Sequence, residues 1–305
     1  IGITISVKKS DIFKVSFDKT YQSTVFNPND DNKLIVNFYF DRAIKLVFNL
    51  LNELHVNYTP IDINIESTLE STKGTSYGFG SSGALVIGVI KSVLEYYRIE
   101  YTSLELYKLG VIALFDEALK SSFGDIALAT FGVTINYHVF DKEWFHKQNH
   151  NDILKLYKRN WKDLVIRAFK FELPYYLIIN TKIKSDSLKL VDSFKRNIDS
   201  KSYQYYLKRN TELMNELVDK KNLMVLKDLY YIYKSMSNNS SFDYMVKPYF
   251  NLEQIASNHN AIMKVTGAGG GDNVIFIFNN AIDKDQCHFD LLKSGYLVFN
   301  GIIKE

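Results

Sequence analysis

Tyr77-Gly78-Phe79-Gly80-Ser81-Ser82-Gly83 is a glycine-serine loop, and the stretch after it, Ala84 to Tyr97, carries Leu85, Gly88, Val89 and Val93 at helical spacing. A loop that begins at Gly74 therefore feeds straight into a helix N-terminus. Glycines let the backbone approach a ligand closely, and the unpaired N–H groups of a helix start point at an anion. Ser81 and Ser82 add two hydroxyls, as further donors or as a magnesium ligand. The bland alternative for such a run is a solvated strand-to-helix turn.

The same residues match G-x-G-x-x-G through Gly78, Gly80 and Gly83, so a nicotinamide or flavin dinucleotide site stands as an alternative. That fingerprint belongs in the first βαβ unit and is followed by a strand-end acid, whereas here a capped helix comes next and Glu100 precedes it. A Walker loop is excluded, because no Gly-Lys-Ser/Thr follows.

Upstream, Ile1, Ile3, Ile5 and Val7 alternate like a strand, Ile44, Val47, Phe48, Leu51 and Leu54 fall at helical spacing, and Ile61, Ile63 and Ile65 alternate again. Downstream, Thr102 and Glu105 form a candidate capping box for a helix running to about Leu119. Phe131 to Phe140 then reads as a strand, with Asp125 in the intervening turn. The pattern restarts near Lys170 with a strand from Pro174 to Asn180 and Lys/Tyr/Leu-rich helices to about Met236. A polar break at Ser237 to Ser241, another helix, a strand from Val274 to Phe278 and a last one from Tyr296 to Ile303 complete the chain. These patterns predict an α+β protein of two domains, residues 1–170 and 171–305.

A second loop, Lys264-Val265-Thr266-Gly267-Ala268-Gly269-Gly270-Gly271-Asp272, leads into the apolar strand at Val274. So many glycines are costly unless the backbone needs them, and a tight hairpin rarely does. Two separated glycine-rich loops in one chain favour nucleotide phosphates over either loop's bland alternative.

At 305 residues and 46% hydrophobic content the chain can bury a sizeable core. Its net charge of +3 argues against nucleic acid or an anionic membrane as partner, and the pI of 8.6 hints only weakly at anionic ligands. A lone cysteine, Cys287, excludes an internal disulfide and a cysteine-built zinc site, and points to a reducing, cytoplasmic location. No apolar run is long enough for a membrane span, and no basic-then-apolar leader opens the chain. His146 and His150 have metal-compatible spacing without the Glu of H-E-x-x-H, and are read as surface histidines.

With both loops in view, the chain resembles the GHMP kinase superfamily (galactose, homoserine, mevalonate and phosphomevalonate kinases). Gly78-Phe79-Gly80-Ser81-Ser82-Gly83 looks like its central ATP motif and Lys264 to Asp272 like its C-terminal glycine motif. Most relatives carry Gly-Leu-Gly-Ser-Ser-Ala in the first; the Tyr-Gly-Phe-Gly-Ser-Ser-Gly form is typical of bacterial-type phosphomevalonate kinases. Ser122-Phe123-Gly124-Asp125-Ile126-Ala127, followed by Tyr137 and Phe140-Asp141, is similar to that subfamily's Gly-Ser-x-Gly-Asp segment. Asn180-Thr181-Lys182 and Ser185-Asp186-Ser187 resemble the start of its second domain. Ser121 and Val133 depart from glycines common in the family. The family's opening Gly-Lys strand and Gly-Glu-Tyr segment have no match, and are expected to precede Ile1.

The resemblance implies an N-terminal lobe like ribosomal protein S5 domain 2, a ferredoxin-like C-terminal lobe, and a site in the cleft between them. It implies ATP over Gly78, Phe79, Gly80, Ser81, Ser82 and Gly83, with Ser82 and Asp125 as catalytic residues that hold Mg2+. Ser122, Gly124, Asp125, Lys182, Ser185, Gly267, Ala268, Gly269 and Gly270 are the implied substrate contacts, with Lys73 and Lys184 as further cations. The implied reaction is ATP-dependent phosphorylation of 5-phosphomevalonate by a monomer or homodimer. Mevalonate kinase, another small-molecule kinase of the superfamily, or a catalytically silent member are the alternatives.

Overall fold

The structure, a computed structural model, describes residues 2–18, 23–30, 36–69, 77–116, 121–169, 175–240 and 244–301. Ile1, Lys73, Gly74, Leu119, Lys170, Pro174, Ser241 and Ile303, all named in the sequence reading, lie outside the described residues. The chain divides into two compact units, Ile1–Phe169 and Lys170–Glu305.

In the first unit the opening alternation becomes β1 (Ile3–Lys9), half-buried at Ile3, Ile5 and Val7 and exposed between them. There follow β2 (Lys14–Phe17), the short β3 (Thr24–Val25), α1 (Phe38–Glu53) and β4 (Ile61–Ser67). The strands form one sheet in the order β1-β4-β2-β3, with β2 parallel to β4 and the other pairs antiparallel. Ile44, Val47, Phe48 and Leu51 of α1 and Ile61, Ile63 and Ile65 of β4 share one core, each at most 2% exposed. Burying such a side chain is worth about 1.5–3 kcal/mol, so this face decides how α1 docks. Asn37 caps α1, its Oδ1 accepting from the Phe40 N–H.

The unit continues with α2 (Ser81–Tyr96), α3 (Ser103–Leu114), α4 (Gly124–Phe131), β5 (Ile135–His138), α5 (Lys142–His146), α6 (Ile153–Lys158) and β6 (Val165–Ala168). The Thr102–Glu105 capping box is present: Glu105 N donates to Thr102 Oγ1 at 3.2 Å and Thr102 N to Glu105 Oε2 at 2.8 Å. Two expectations are corrected here. Asp125 lies in the first turn of α4 and not in a turn between elements, because the helix formers Ile126 to Ala129 bury Ile126 and Ala127. The strand expected over Phe131 to Phe140 shrinks to β5, since Phe131 completes α4 and Gly132, at φ 63°, stops it.

In the second unit the order is β7 (Tyr175–Asn180), α7 (Ser187–Asn197), α8 (Ser200–Lys220), α9 (Met224–Ser240), α10 (Lys247–Asn258), β8 (Ile262–Val265), β9 (Asn273–Phe278), α11 (Ala281–Lys293) and β10 (Leu297–Gly301). Among the described residues the sheet runs β10-β7-β9-β8, every pair antiparallel, which is the ferredoxin-like strand order. Leu177, Ile179, Val274, Phe276, Cys287 and Leu291 form its core. The polar break placed at Ser237 is also corrected: α9 continues through Ser240, its serines and asparagines carried as the last turn of a helix anchored by its apolar face. Among the described residues no helix is long and apolar enough to cross a membrane.

Candidate active site

The glycine-serine loop leads straight into α2 as expected, but the helix begins three residues earlier than its apolar spacing indicates, with Gly80 as the N-cap and Ser81, Ser82 and Gly83 in the first turn. Gly78 and Gly80 both adopt φ 73°, a left-handed backbone open to glycine. Gly80 has no side chain to cap the helix, and among the described residues no acceptor takes the N–H groups of Ser81, Ser82 or Gly83. Three donors and the positive end of the helix dipole are thus left for an outside anion. Beside this turn is a cavity of about 390 Å³. Ile3, Phe17, Ile65 and Leu85 give it apolar walls, and Asn37, Ser67, Ser81 and Ser82 give it polar edges.

Asp125 meets the same turn from the side. A Cβ built on Gly83 would stand 2.9 Å from Asp125 Oδ2, so the carboxylate rests against the first turn of α2. Asp125 is open to solvent on one side and crowded by protein on the other. That burial pushes its carboxyl above the ordinary range, against the pull of its own N–H and that of Ile126. Ser122 is exposed, and its Oγ accepts from the Gly124 N–H at 3.3 Å. The structure therefore brings Gly80, Gly83 and Asp125 together, with Ser82 between the two glycines.

In the second unit the glycine loop is a built object. Ser185 Oγ donates to Gly269 O at 2.6 Å, Ser185 N to Asp272 Oδ1 at 3.2 Å, and Asp272 N to Ile183 O at 2.6 Å. The Tyr249 hydroxyl accepts from Gly271 N at 2.9 Å and donates to Gly271 O at 2.8 Å, while Gly270 N donates to Tyr244 O. Added Cβ atoms at Gly269 and Gly271 would fall 2.1 Å from the Tyr244 ring and 2.4 Å from Ile183 O. These two glycines are needed by the loop's own packing. Among the described residues only Gly267 and Ala268, at the tip, keep loop N–H groups with no acceptor in the chain. Lys182 donates to Gly295 O at 2.8 Å, and Lys184 is exposed.

Local sequence gave little signal for several neighbouring groups. Asn37 is visible as a cap but not as a cavity wall, and Tyr249 is visible only as one of many tyrosines. Lys264, first residue of the C-terminal motif, lies over the Tyr233 ring at 5.6 Å and donates to Val265 O; burial pushes its ammonium down to about 8. His150 is half-buried instead of on the surface: its Nε2 pairs with Phe145 O and its ring stacks on Phe115 at 5.5 Å. Among the described residues no group of three or more His, Cys, Asp or Glu is placed to hold a metal.

Residues 39–133 match the family model described as the GHMP kinases N terminal domain. The curated phosphomevalonate kinase of Streptomyces sp. (strain CL190) is 28% identical over 126 residues, which are 41% of this chain and 31% of that protein. The match thus spans about a third of the curated relative's length. The Lin0012 protein of Listeria innocua superposes with TM-score 0.88 at 23% identity, covering 98% of this chain and 89% of that one. Phosphomevalonate kinase of Streptococcus pneumoniae, solved in complex with phosphomevalonate and AMPPNP, gives TM-score 0.81 at 22% identity over 98% of this chain and 90% of that one. The fold is that of the two-lobed GHMP kinases, and the likeness in sequence to that family's N-terminal domain runs over residues 39–133.

Proposed function

We propose that this chain transfers the γ-phosphoryl group of ATP to the phosphate of (R)-5-phosphomevalonate, giving 5-diphosphomevalonate and ADP in the mevalonate route to isoprenoid precursors. The observation that carries the reading is the Asp125 carboxylate set against the open N-terminal turn of α2, in a fold shared with phosphomevalonate kinases.

In this reading the free N–H groups of Ser81, Ser82 and Gly83 hold the ATP phosphates. The adjoining cavity takes the base between apolar walls, with Asn37 at its edge for a polar contact. The Ser82 hydroxyl and the Asp125 carboxylate are the hard oxygen donors that suit magnesium, an ion usually bound by one or two carboxylates plus substrate phosphates. Bound there, magnesium would neutralise charge on the transferred group. In the second unit the Gly267 and Ala268 N–H groups are offered to an anionic acceptor, and Ser185, Gly269 and Gly270 hold that tip in shape. The units correspond to the ATP-binding and C-terminal domains of the family, and the enzyme acts in the cytoplasm.

Asp125 positions and does not abstract. A phosphate monoester has its second pKa near about 6, so the acceptor oxygen is already ionised at neutral pH. The difficulty is bringing two anions together, which calls for fixed donors and cations. One observation favours mevalonate kinase as a second reading: burial raises the Asp125 carboxyl, the direction a base for an alcohol needs. ADP release with magnesium-ATP and 5-phosphomevalonate, mevalonate, homoserine or galactose in separate reactions decides. Turnover with 5-phosphomevalonate alone supports the proposal; turnover with mevalonate alone replaces it by the second reading.

A further inference from the structure

We infer that Tyr137, with Tyr107 behind it, and Lys142 are positioning residues: together they grip the Ser121-Ser122-Phe123 turn and so set the Asp125 carboxylate on the first turn of α2. The inference rests on the kinase reading for its catalytic consequence, and on the geometry of the turn for its existence.

The turn needs holding. Phe123, the N-cap of α4, has φ 55° and ψ 20°, a left-handed conformation in which a bulky side chain is an outlier. Such backbone persists only where the surroundings over-determine it, and it clusters at functional sites. Here the surroundings are specific. Tyr137 Oη, from β5, donates to Ser122 O at 2.5 Å. With that proton committed, the Tyr107 hydroxyl of α3, 2.9 Å away, is the donor to Tyr137, and the Tyr107 side chain is fully buried. Lys142 Nζ, from the start of α5, donates to Ser121 O and lies 5.7 Å from the centre of the Phe123 ring.

Two consecutive carbonyls are therefore held by side chains from two other elements, one of them anchored in the core. The turn's N–H groups are held as well: Ser121 Oγ accepts from Phe123 N at 3.1 Å and Ser122 Oγ from Gly124 N at 3.3 Å. Phe123 itself is locked by stacking on Phe140 at 5.8 Å and Phe115 at 6.4 Å. Ser122 is exposed, and what the tyrosines add to its carbonyl is a fixed position. Asp125 follows two residues after Phe123, and its contact with Gly83 leaves no slack. Ser121, which departs from the family's glycine, is one of the groups that bind the turn.

The test compares Tyr137→Phe and Lys142→Met with the parent chain, and Lys142→Arg as the conservative replacement. Four quantities are read: kcat and KM with magnesium-ATP and 5-phosphomevalonate, the thermal midpoint, and amide hydrogen exchange over residues 121–126. We expect kcat to fall by about ten- to a hundred-fold, with the KM for ATP and the thermal midpoint nearly unchanged and exchange faster across the turn. Lys142→Arg restores most of the loss. Unchanged exchange, unchanged kcat, or a kcat loss that tracks loss of the fold would each overturn the inference. A parent chain that turns over no acceptor would defeat the kinase reading alone; the exchange measurement then decides whether the clamp exists.

Discussion

Asp125 and Gly83 share a contact with no room for a methyl group: a Cβ on Gly83 would stand 2.9 Å from Asp125 Oδ2, 3.2 Å from Cγ and 3.3 Å from the backbone carbon. The first turn of α2 and the acidic residue are thus fitted to each other. Gly83→Ala is expected to leave the thermal midpoint nearly unchanged, since alanine favours the helix by about 1 kcal/mol over glycine and offsets the crowding. Turnover falls by about ten-fold or more, because the carboxylate must move. Steady-state ADP release and a thermal melt, run together, check both halves.

The raised carboxyl of Asp125 gives a stability prediction of definite sign. Burial holds the group above its ordinary 3.8, so the folded chain binds this proton more tightly than the unfolded chain does. Its contribution to stability is fully present below the ordinary value and is lost as the pH rises through the raised one. Asp125→Asn should therefore melt at a higher temperature than the parent at neutral pH. The difference should narrow as the pH is lowered through the raised value toward 3.8, the ordinary carboxylate value. Melting curves across that range check it, and a variant less stable than the parent at neutral pH would contradict the assignment.

The glycine loop of the second unit predicts a ranking. Gly267 has φ 58° and open space around it, so Gly267→Ala carries only left-handed strain, about 1–2 kcal/mol. Gly271 has φ 145°, and its added methyl would meet Ile183 O at 2.4 Å and Ser185 N at 3.1 Å, so Gly271→Ala adds a backbone clash to the strain. Chemical denaturation should rank Gly271→Ala as the more damaging by a clear margin, even though both belong to the same motif.

Magnesium dependence tests Ser82 without requiring turnover. Calorimetric titration of the parent with AMPPNP should give weaker binding when magnesium is removed with EDTA. Ser82→Ala should weaken the magnesium complex and respond much less to EDTA, because one of the ion's oxygen donors is already gone. Equal EDTA sensitivity in both proteins would remove Ser82 from the metal site.

Much of this was legible in the sequence, and for a common reason: where a single periodicity or a fixed-spacing motif governs, residues declare themselves. The faces of α1 and β4, the Thr102–Glu105 box and the passage from the glycine-serine loop into a helix are of this kind. Short elements were not. α4 has only 8 residues, too few to display a stripe, so Asp125 read as part of a turn. α11, whose buried positions Cys287 and Leu291 are interspersed with the exposed apolar residues Ile282, Phe289 and Leu292, gave no clean face. The contacts that define the candidate site, Gly83 with Asp125 and Tyr137 with Ser122, join positions 42 and 15 residues apart. No local pattern carries that distance, and the Tyr249 grip on Gly271 escaped for the same reason.

The most direct measurement of the central claim is phosphorus NMR of a reaction containing this chain, magnesium-ATP and 5-phosphomevalonate. The proposal predicts that the acceptor's single monoester resonance is replaced by the coupled pair of a diphosphate monoester, at the rate ADP appears, and that Asp125→Asn slows both together. ADP accompanied by inorganic phosphate, with the acceptor resonance unchanged, would contradict it.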